Sequence, residues 1–290
     1  MSVVGACKRP WAWSASDGRS WPMPCGKCLA CRIRRRSIWA IRMLHEITTA
    51  HRACFITLTY SEEHLPRRGS DSRGILVKSD LQKFFKRLRK AGYEFKYYAC
   101  GEYGDIGSRP HYHAILFGVE LQREALEEAW TMGICDSGTA TERSVKYVAG
   151  YVAKKLGLLE YLNDNRPAPF QVCSQGIGLE WAKENMIEAM LEGGLVLKGK
   201  KLPIPRAYKD WYEEIFPDAV AGFSARQQWE SDLALSDLIL ELLPEAGGLS
   251  WSELSDEVRE NVMIQLHKRG SIIDANLRAA ANMKEKESKL

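Results

Sequence analysis

Arg109-Pro110-His111-Tyr112-His113-Ala114-Ile115-Leu116-Phe117 reads as a β-strand, and its polar positions decide how the rest of the chain is understood. In a strand, residues i and i+2 point to the same side, so His111 and His113 converge while Tyr112 faces the opposite way. Two imidazoles on one face can grip a metal ion, although paired histidines on a half-exposed strand give the same pattern without one. Residues 95–101 form a second strand, joined to the first by the turn-rich Tyr103-Gly104-Asp105-Ile106-Gly107-Ser108. Antiparallel pairing of the two would bring the Glu102 carboxylate to the side of the histidine pair. Two imidazoles and a carboxylate leave positions on a divalent ion open for phosphate oxygens and water, and the set suits Mg²⁺ or Mn²⁺ alike.

Downstream, a helix is expected over residues 142–156, containing Tyr147-Val148-Ala149-Gly150-Tyr151-Val152-Ala153-Lys154-Lys155. Helix positions four apart share a face, so the hydroxyls of Tyr147 and Tyr151 should be neighbours, with Lys154 on nearly that face. A phenol, with an ordinary pKa near 10, becomes a nucleophile when a cation stabilises its oxyanion. Lys155 points about 100° further round the helix and suits a DNA-backbone contact. Two amphipathic tyrosines on a packed helix would look the same in isolation.

Upstream, residues 32–50 form an apolar-periodic helix that opens with Arg32, Arg34, Arg35 and Arg36. Phe55-Ile56-Thr57-Leu58-Thr59-Tyr60 is β-branched and aromatic, a strand. Ser79 or Asp80 should cap a helix that packs Leu81, Phe84, Phe85 and Leu88 and stops at Gly92. Its other faces carry Lys83, Lys86 and Arg87, which with the arginines at 32–36 are the obvious phosphate contacts for single-stranded DNA. Further helices are expected at residues 122–132 and at about Leu179–Leu191, with a Pro- and Gly-rich loop after Asn163. From about Ala207 the chain turns acidic and helical, with a break at residues 244–250.

With 290 residues, 45% apolar and 27% charged, the composition is that of an ordinary globular protein of about two domains, which excludes disorder, collagen and small disulfide scaffolds. The formal charge of +4 conceals an asymmetry. Residues 207–290 hold 9 Lys/Arg and 16 Asp/Glu, leaving 32 and 21 for residues 1–206, so a basic body precedes an acidic end. No run of eighteen apolar residues and no G-x-x-x-x-G-K-[ST] loop is found, arguing against a membrane span and an ATP-driven motor. The opening residues lack an export signal, so reduced thiols in a cytosol are expected.

Cys25-Gly26-Lys27-Cys28-Leu29-Ala30-Cys31 sets three thiols at two-residue intervals. With Cys7 as a fourth ligand they would suit a tetrahedral structural Zn²⁺. An iron–sulfur cluster, or a reduced turn without metal, fits the same spacing. Cys54, Cys100, Cys135 and Cys173 read as small buried residues.

A strand ending in Thr57-Leu58-Thr59-Tyr60, the His111-Tyr112-His113 strand and the Tyr147/Tyr151/Lys154 helix, in this order, resemble the three motifs of the HUH endonuclease superfamily of rolling-circle replication initiators. More narrowly the chain is similar to the initiators of microviruses, the gokushovirus-like group, through residues 24–32, 54–60, 100–104, 109–113 and 147–155. The resemblance implies a metal held by Glu102, His111 and His113, with Tyr147 and Tyr151 as alternating nucleophiles and Lys154 beside them. Each tyrosine would join the 5′ phosphate of a nicked origin strand and release a 3′ hydroxyl that primes synthesis.

The expected fold is therefore α+β: a central antiparallel sheet flanked by helices, of the HUH endonuclease or ferredoxin-like kind. Residues 1–52 would be a Cys-rich basic extension and helix, 53–206 the endonuclease core, and 207–290 an acidic helical region. The expected activity is metal-dependent nicking and joining of single-stranded phage origin DNA in the cytoplasm of a bacterial host. Host helicase and polymerase are candidate partners, and no membrane is involved. A transposase or plasmid relaxase shares the chemistry, and a noncatalytic metal- or DNA-binding protein is the alternative of a different class.

Overall fold

The computed structural model describes residues 5–16, 20–68, 73–104, 108–154, 165–197, 199–246 and 248–287, the side chains of 151–154, 197, 200, 282 and 284–287 excepted. The chain divides into two compact units, Arg36–Tyr208 and Met1–Arg35 together with Lys209–Leu290.

Arg36–Tyr208 is built on a five-stranded antiparallel sheet: β3 (Ala53–Tyr60), β4 (Lys96–Tyr103), β5 (Pro110–Phe117), β6 (Gly133–Thr139) and β7 (Phe170–Cys173). The strand order is β6-β3-β5-β4-β7, which puts the histidine strand β5 at the centre. Alternation along β3 sends Ile56, Leu58 and Tyr60 into a core with Leu81, Phe84, Phe85 and Leu88 of α2 (Lys78–Lys90) and with Leu126 and Ala129 of α3 (Arg123–Ala129). On the other face, Tyr98, Cys100, Ile115 and Phe117 pack against Ala40 and Met43 of α1 (Leu29–Ala50) and against Val145, Val148 and Ala149 of α4 (Glu142–Lys154). The helices α5 (Leu179–Leu191) and α6 (Arg206–Glu213) follow, with the small β8–β9 hairpin (Leu195–Leu197, Lys200–Leu202) between them. The fold is thus α+β with an antiparallel sheet flanked by helices, as the alternation along β5 implies.

Several details differ from expectation. Helix α2 starts at Lys78 after Val77, and no side chain makes a cap hydrogen bond, so neither Ser79 nor Asp80 is its cap. Tyr112, on the face of β5 away from the histidines, takes over part of that work: its hydroxyl accepts from the Val77 N–H at 2.8 Å and lies 2.8 Å from the Tyr60 hydroxyl, which donates to Asp80. Strands β6 and β7 stand where a loop or no element was expected. Both lie at edges of the sheet, where a strand needs few apolar residues.

In the other unit, β1 (Trp11–Ser14) and β2 (Ser20–Met23) form a hairpin in which Trp13 pairs with Trp21. The acidic region forms α7 (Pro217–Leu242) and α8 (Asp256–Glu287), joined by two short 3₁₀ turns where the break was expected. Leu235, Leu238, Ile239, Trp251, Val262 and Leu266 make their shared core.

Candidate active site and metal centres

The register of the sheet assembles the first site. On β5, His113 lies opposite Thr57 of β3 and opposite Cys100 of β4, and His111 lies opposite Thr59 and Glu102. Since β5 sits between β3 and β4, each imidazole is flanked by a hydroxyl strand on one side and the carboxylate strand on the other. Thr57 Oγ1 is 3.0 Å from His113 Nδ1, and Thr59 Oγ1 is 2.9 Å from His111 Nδ1. At the other end of its ring, His113 Nε2 is 3.1 Å from Glu102 Oε1, with both residues buried.

The residues fit a divalent ion in two respects. The donor set is two imidazoles and a carboxylate, suited to borderline and hard cations. Space is also reserved at the third donor: a Cβ on Gly104 would lie 2.8 Å from His111 Nε2, so glycine is the one residue that leaves this nitrogen uncrowded. The three donors do not, however, form a closed cluster. The two imidazole centroids are 6.4 Å apart, and His111 makes no mutual group with His113 and Glu102 as compact as the cysteine cluster described below.

Helix α4 brings Tyr147 to this face. Its ring meets the His113 ring edge-on at 5.2 Å and the Phe55 ring at 6.0 Å, while Phe55 stacks parallel to His113 at 5.7 Å. Tyr147 is nonetheless 45% exposed, so the phenol is both beside the imidazole and open to a ligand. The side chains of Tyr151 and Lys154, and all of Lys155, lie outside the described residues.

The basic positions are dispersed. Lys83, Lys86 and Arg87 are on α2, whose packing face is the side of the sheet opposite the histidines. Lys83 pairs with Asp80, and Arg87 Nε donates to the Ala129 carbonyl at 2.6 Å. Arg36 is drawn to the tyrosine helix: it donates to the Lys146 carbonyl at 3.1 Å, and its guanidinium lies over Gly150, between the two tyrosines in sequence. Arg32, Arg34 and Arg35 belong to the other unit. Residues that sequence reasoning gave no role are Phe55, Thr57, Thr59 and Gly104; the shared parity of 55, 57 and 59 along β3 was the available clue.

The second centre is cysteine-only. Cys7, Cys25, Cys28 and Cys31 place their sulfurs within 4.8 Å of one another, a group that could hold a metal ion, and among the described residues no other set of three or more potential ligands is as compact. Backbone N–H groups of Lys8, Cys25, Lys27 and Cys28 donate to these sulfurs at 3.2–3.4 Å. Burial pushes Cys7 up to about 11 and raises Cys31 further, whereas at Cys25 burial is outweighed by the N–H bonds from Lys27 and Cys28, bringing it down to about 7. Cys7 is fixed from the far end of the chain. A Cβ on Gly270 of α8 would lie 2.0 Å from the Cys7 carbonyl oxygen, Lys8 reaches Asp274 at 3.2 Å, and His267 contacts the Pro10 carbonyl at 2.8 Å.

An antiparallel sheet presenting two histidines and a carboxylate beneath a tyrosine helix defines a class, and residues 53–156, which span β3 to α4, match the family described as replication-associated protein ORF2. The chain is 32% identical over 239 residues to replication-associated protein VP4 of Bdellovibrio phage phiMH2K, covering 73% of this chain and 74% of that one. It is 30% identical over 229 residues to replication-associated protein ORF2 of Spiroplasma virus 4 (68% and 71%), and 28% identical over 219 residues to replication-associated protein ORF4 of Chlamydia phage 1 (66% and 53%). The chain belongs to this family, the replication-associated proteins of microviruses. No solved structure matches it. Among the described residues no helix is long and apolar enough to cross a membrane.

Proposed function

We propose that this protein initiates and terminates rolling-circle replication of a phage genome by nicking and rejoining single-stranded origin DNA through covalent 5′-phosphotyrosine. The observation that carries the reading is the Tyr147 ring, edge-on to the His113 ring at 5.2 Å on the face that also holds His111 and Glu102. Glu102, His111 and His113 would hold Mg²⁺ or Mn²⁺, which when bound supplies charge stabilisation to the scissile phosphate. Tyr147 Oη attacks phosphorus, the P–O3′ bond breaks, and the 3′ oxygen takes up a proton as the phenol gives one up. Tyr151, one helical turn on, makes the second cleavage, while the free 3′ hydroxyl attacks the first phosphotyrosine and closes the circle. Lys154 stabilises phenolate or phosphate charge. Arg36 and the other basic side chains, Lys155 included, contact the DNA backbone. The cysteine centre holds a structural Zn²⁺. The site of action is the cytoplasm of the bacterial host, with its helicase and polymerase as partners.

The test is incubation with single-stranded origin DNA and Mn²⁺ followed by a denaturing gel. A covalent adduct is expected from the unaltered protein, and Tyr147→Phe combined with Tyr151→Phe should abolish it. Either single change should leave one cleavage and impair circle closure. Absence of any adduct across several metals refutes the enzymatic reading in favour of a noncatalytic binding protein.

A further inference from the structure

We infer that Thr57 and Thr59 are positioning residues that set the tautomer of the histidine pair, so that the Thr-x-Thr of β3 and the His-x-His of β5 act as one cross-strand device. The inference rests on the reading of His111 and His113 as metal ligands. Both histidines are bonded in the same way: each Nδ1 is within 3.0 Å of the hydroxyl of the threonine directly opposite on β3. Each ring is thereby anchored on its β3 side. For His113, whose Nε2 meets Glu102 Oε1 on β4, the opposite end of the ring faces the carboxylate. A ligating imidazole is oriented by what its other nitrogen bonds, and such outer partners change metal affinity by about ten- to hundredfold when removed.

A hydroxyl has a property that the commoner partners, a carboxylate or a backbone carbonyl, lack: it can donate as well as accept. An ionised carboxylate only accepts, so the 3.1 Å contact with Glu102 makes Nε2 the proton-bearing nitrogen of a neutral His113, and Nδ1 then accepts from the Thr57 hydroxyl. Ligation through Nε2 requires the reverse, with the proton on Nδ1 donated to Thr57 Oγ1. The proton moves from one ring nitrogen to the other by exchange with water, the hydroxyl turns about its C–O bond, and neither the ring nor the net charge of the histidine has to change. Threonine suits this role in a strand because its branched Cβ restricts the side-chain rotamer, keeping the hydroxyl in place without a further partner. Repetition at positions 57 and 59 extends the arrangement to both imidazoles.

The experiment uses the full-length protein, Mn²⁺ titrated by electron paramagnetic resonance, and ¹⁵N-histidine NMR of the Mg²⁺-loaded form. The chain has 6 histidines, few enough for His111 and His113 to be assigned by substitution. Thr57→Val and Thr59→Val, which keep the shape and remove the hydroxyl, should each weaken Mn²⁺ binding by about tenfold or more. Thr57→Ser and Thr59→Ser should restore it, and the loaded unaltered protein should show both imidazoles protonated at Nδ1. Mn²⁺ binding by folded valine variants equal to that of the unaltered protein overturns the inference and leaves the metal site standing. Protonation at Nε2 in the loaded form also overturns it, whatever the variants do. Mn²⁺ binding that is absent, or insensitive to His113→Ala, overturns the metal reading itself and this inference with it.

Discussion

Gly104→Ala separates a glycine kept for space at the site from one kept for its backbone. Gly104 is not among the glycines with positive φ, so an alanine suits its backbone, and the N–H that bonds the Arg109 carbonyl at 2.8 Å is retained. The added Cβ would fall 2.8 Å from His111 Nε2 and 3.0 Å from its Cδ2, against an ordinary contact of about 3.5 Å. The imidazole must therefore retreat by roughly half an ångström, although Thr59 holds its other nitrogen at 2.9 Å. Metal–ligand distances tolerate about 0.2 Å, so a shift of this size takes His111 out of the ligand set. The expected loss in Mn²⁺ affinity is about ten- to hundredfold, or about 1.4–2.7 kcal/mol. Fold stability should be unchanged or raised by about 0.4–1 kcal/mol, because alanine narrows the unfolded ensemble. Titration of Mn²⁺ and thermal unfolding of the same metal-free sample give the two numbers. A variant that melts earlier but binds Mn²⁺ normally would show that Gly104 serves the turn and not the site.

Tyr112→Phe removes the hydroxyl that accepts from the Val77 N–H inside the α2 core, and should cost about 1–3 kcal/mol, lowering Tm by several degrees without changing Mn²⁺ affinity; an unshifted Tm would count against the capping role. His45 stacks on Trp181 with centroids 3.5 Å apart, and burial holds it at about 4, below the usual 6.5 of an unfolded chain. The unfolded state therefore takes up the extra proton between those values, so stability that is complete above pH 6.5 falls as pH drops toward 4, by at most about 3 kcal/mol. Denaturant unfolding at pH 7 and 4.5 should show the loss, and His45→Gln should flatten it. Elemental analysis of the purified protein should find about one tightly held zinc per chain, since a single Zn²⁺ takes four thiolates. Chelation or Cys7→Ser should lower the melting temperature, and protein containing neither zinc nor iron would refute the centre.

What the sequence made legible follows from how local each determinant is. The histidine strand, β3 and the amphipathic faces of α2 and α4 are written in alternation or helical period, and the structure keeps all of them. Strand β6 was missed because Gly133-Ile134-Cys135-Asp136-Ser137-Gly138-Thr139 buries little: as an edge strand it is held by ladder bonds to β3, and Ile134 remains exposed. The roles of Thr57, Thr59 and Gly104 were illegible for a different reason. Each depends on register between strands, which places Thr57 against His113 across 56 positions of sequence, and no pattern within β3 reports its partner.

The same distinction accounts for the cysteines and the acidic end. From sequence, the weak point of a four-thiol centre was the separation of Cys7 from Cys25-Gly26-Lys27-Cys28-Leu29-Ala30-Cys31, and the acidic region had no assigned work. In the structure each answers the other. Helix α8 supplies Gly270, whose missing side chain admits the Cys7 backbone, and it supplies Asp274, a nearly fully buried carboxylate that receives Lys8. Asp274 also receives Arg278, and these two cations outweigh burial in holding its carboxyl below the usual range. One part of the acidic charge is thus spent inside the unit, fixing the segment that carries Cys7. A charge balance taken over residues 207–290 treats that aspartate as surface, which is why composition alone pointed to repulsion or partner docking when packing gives it a structural task.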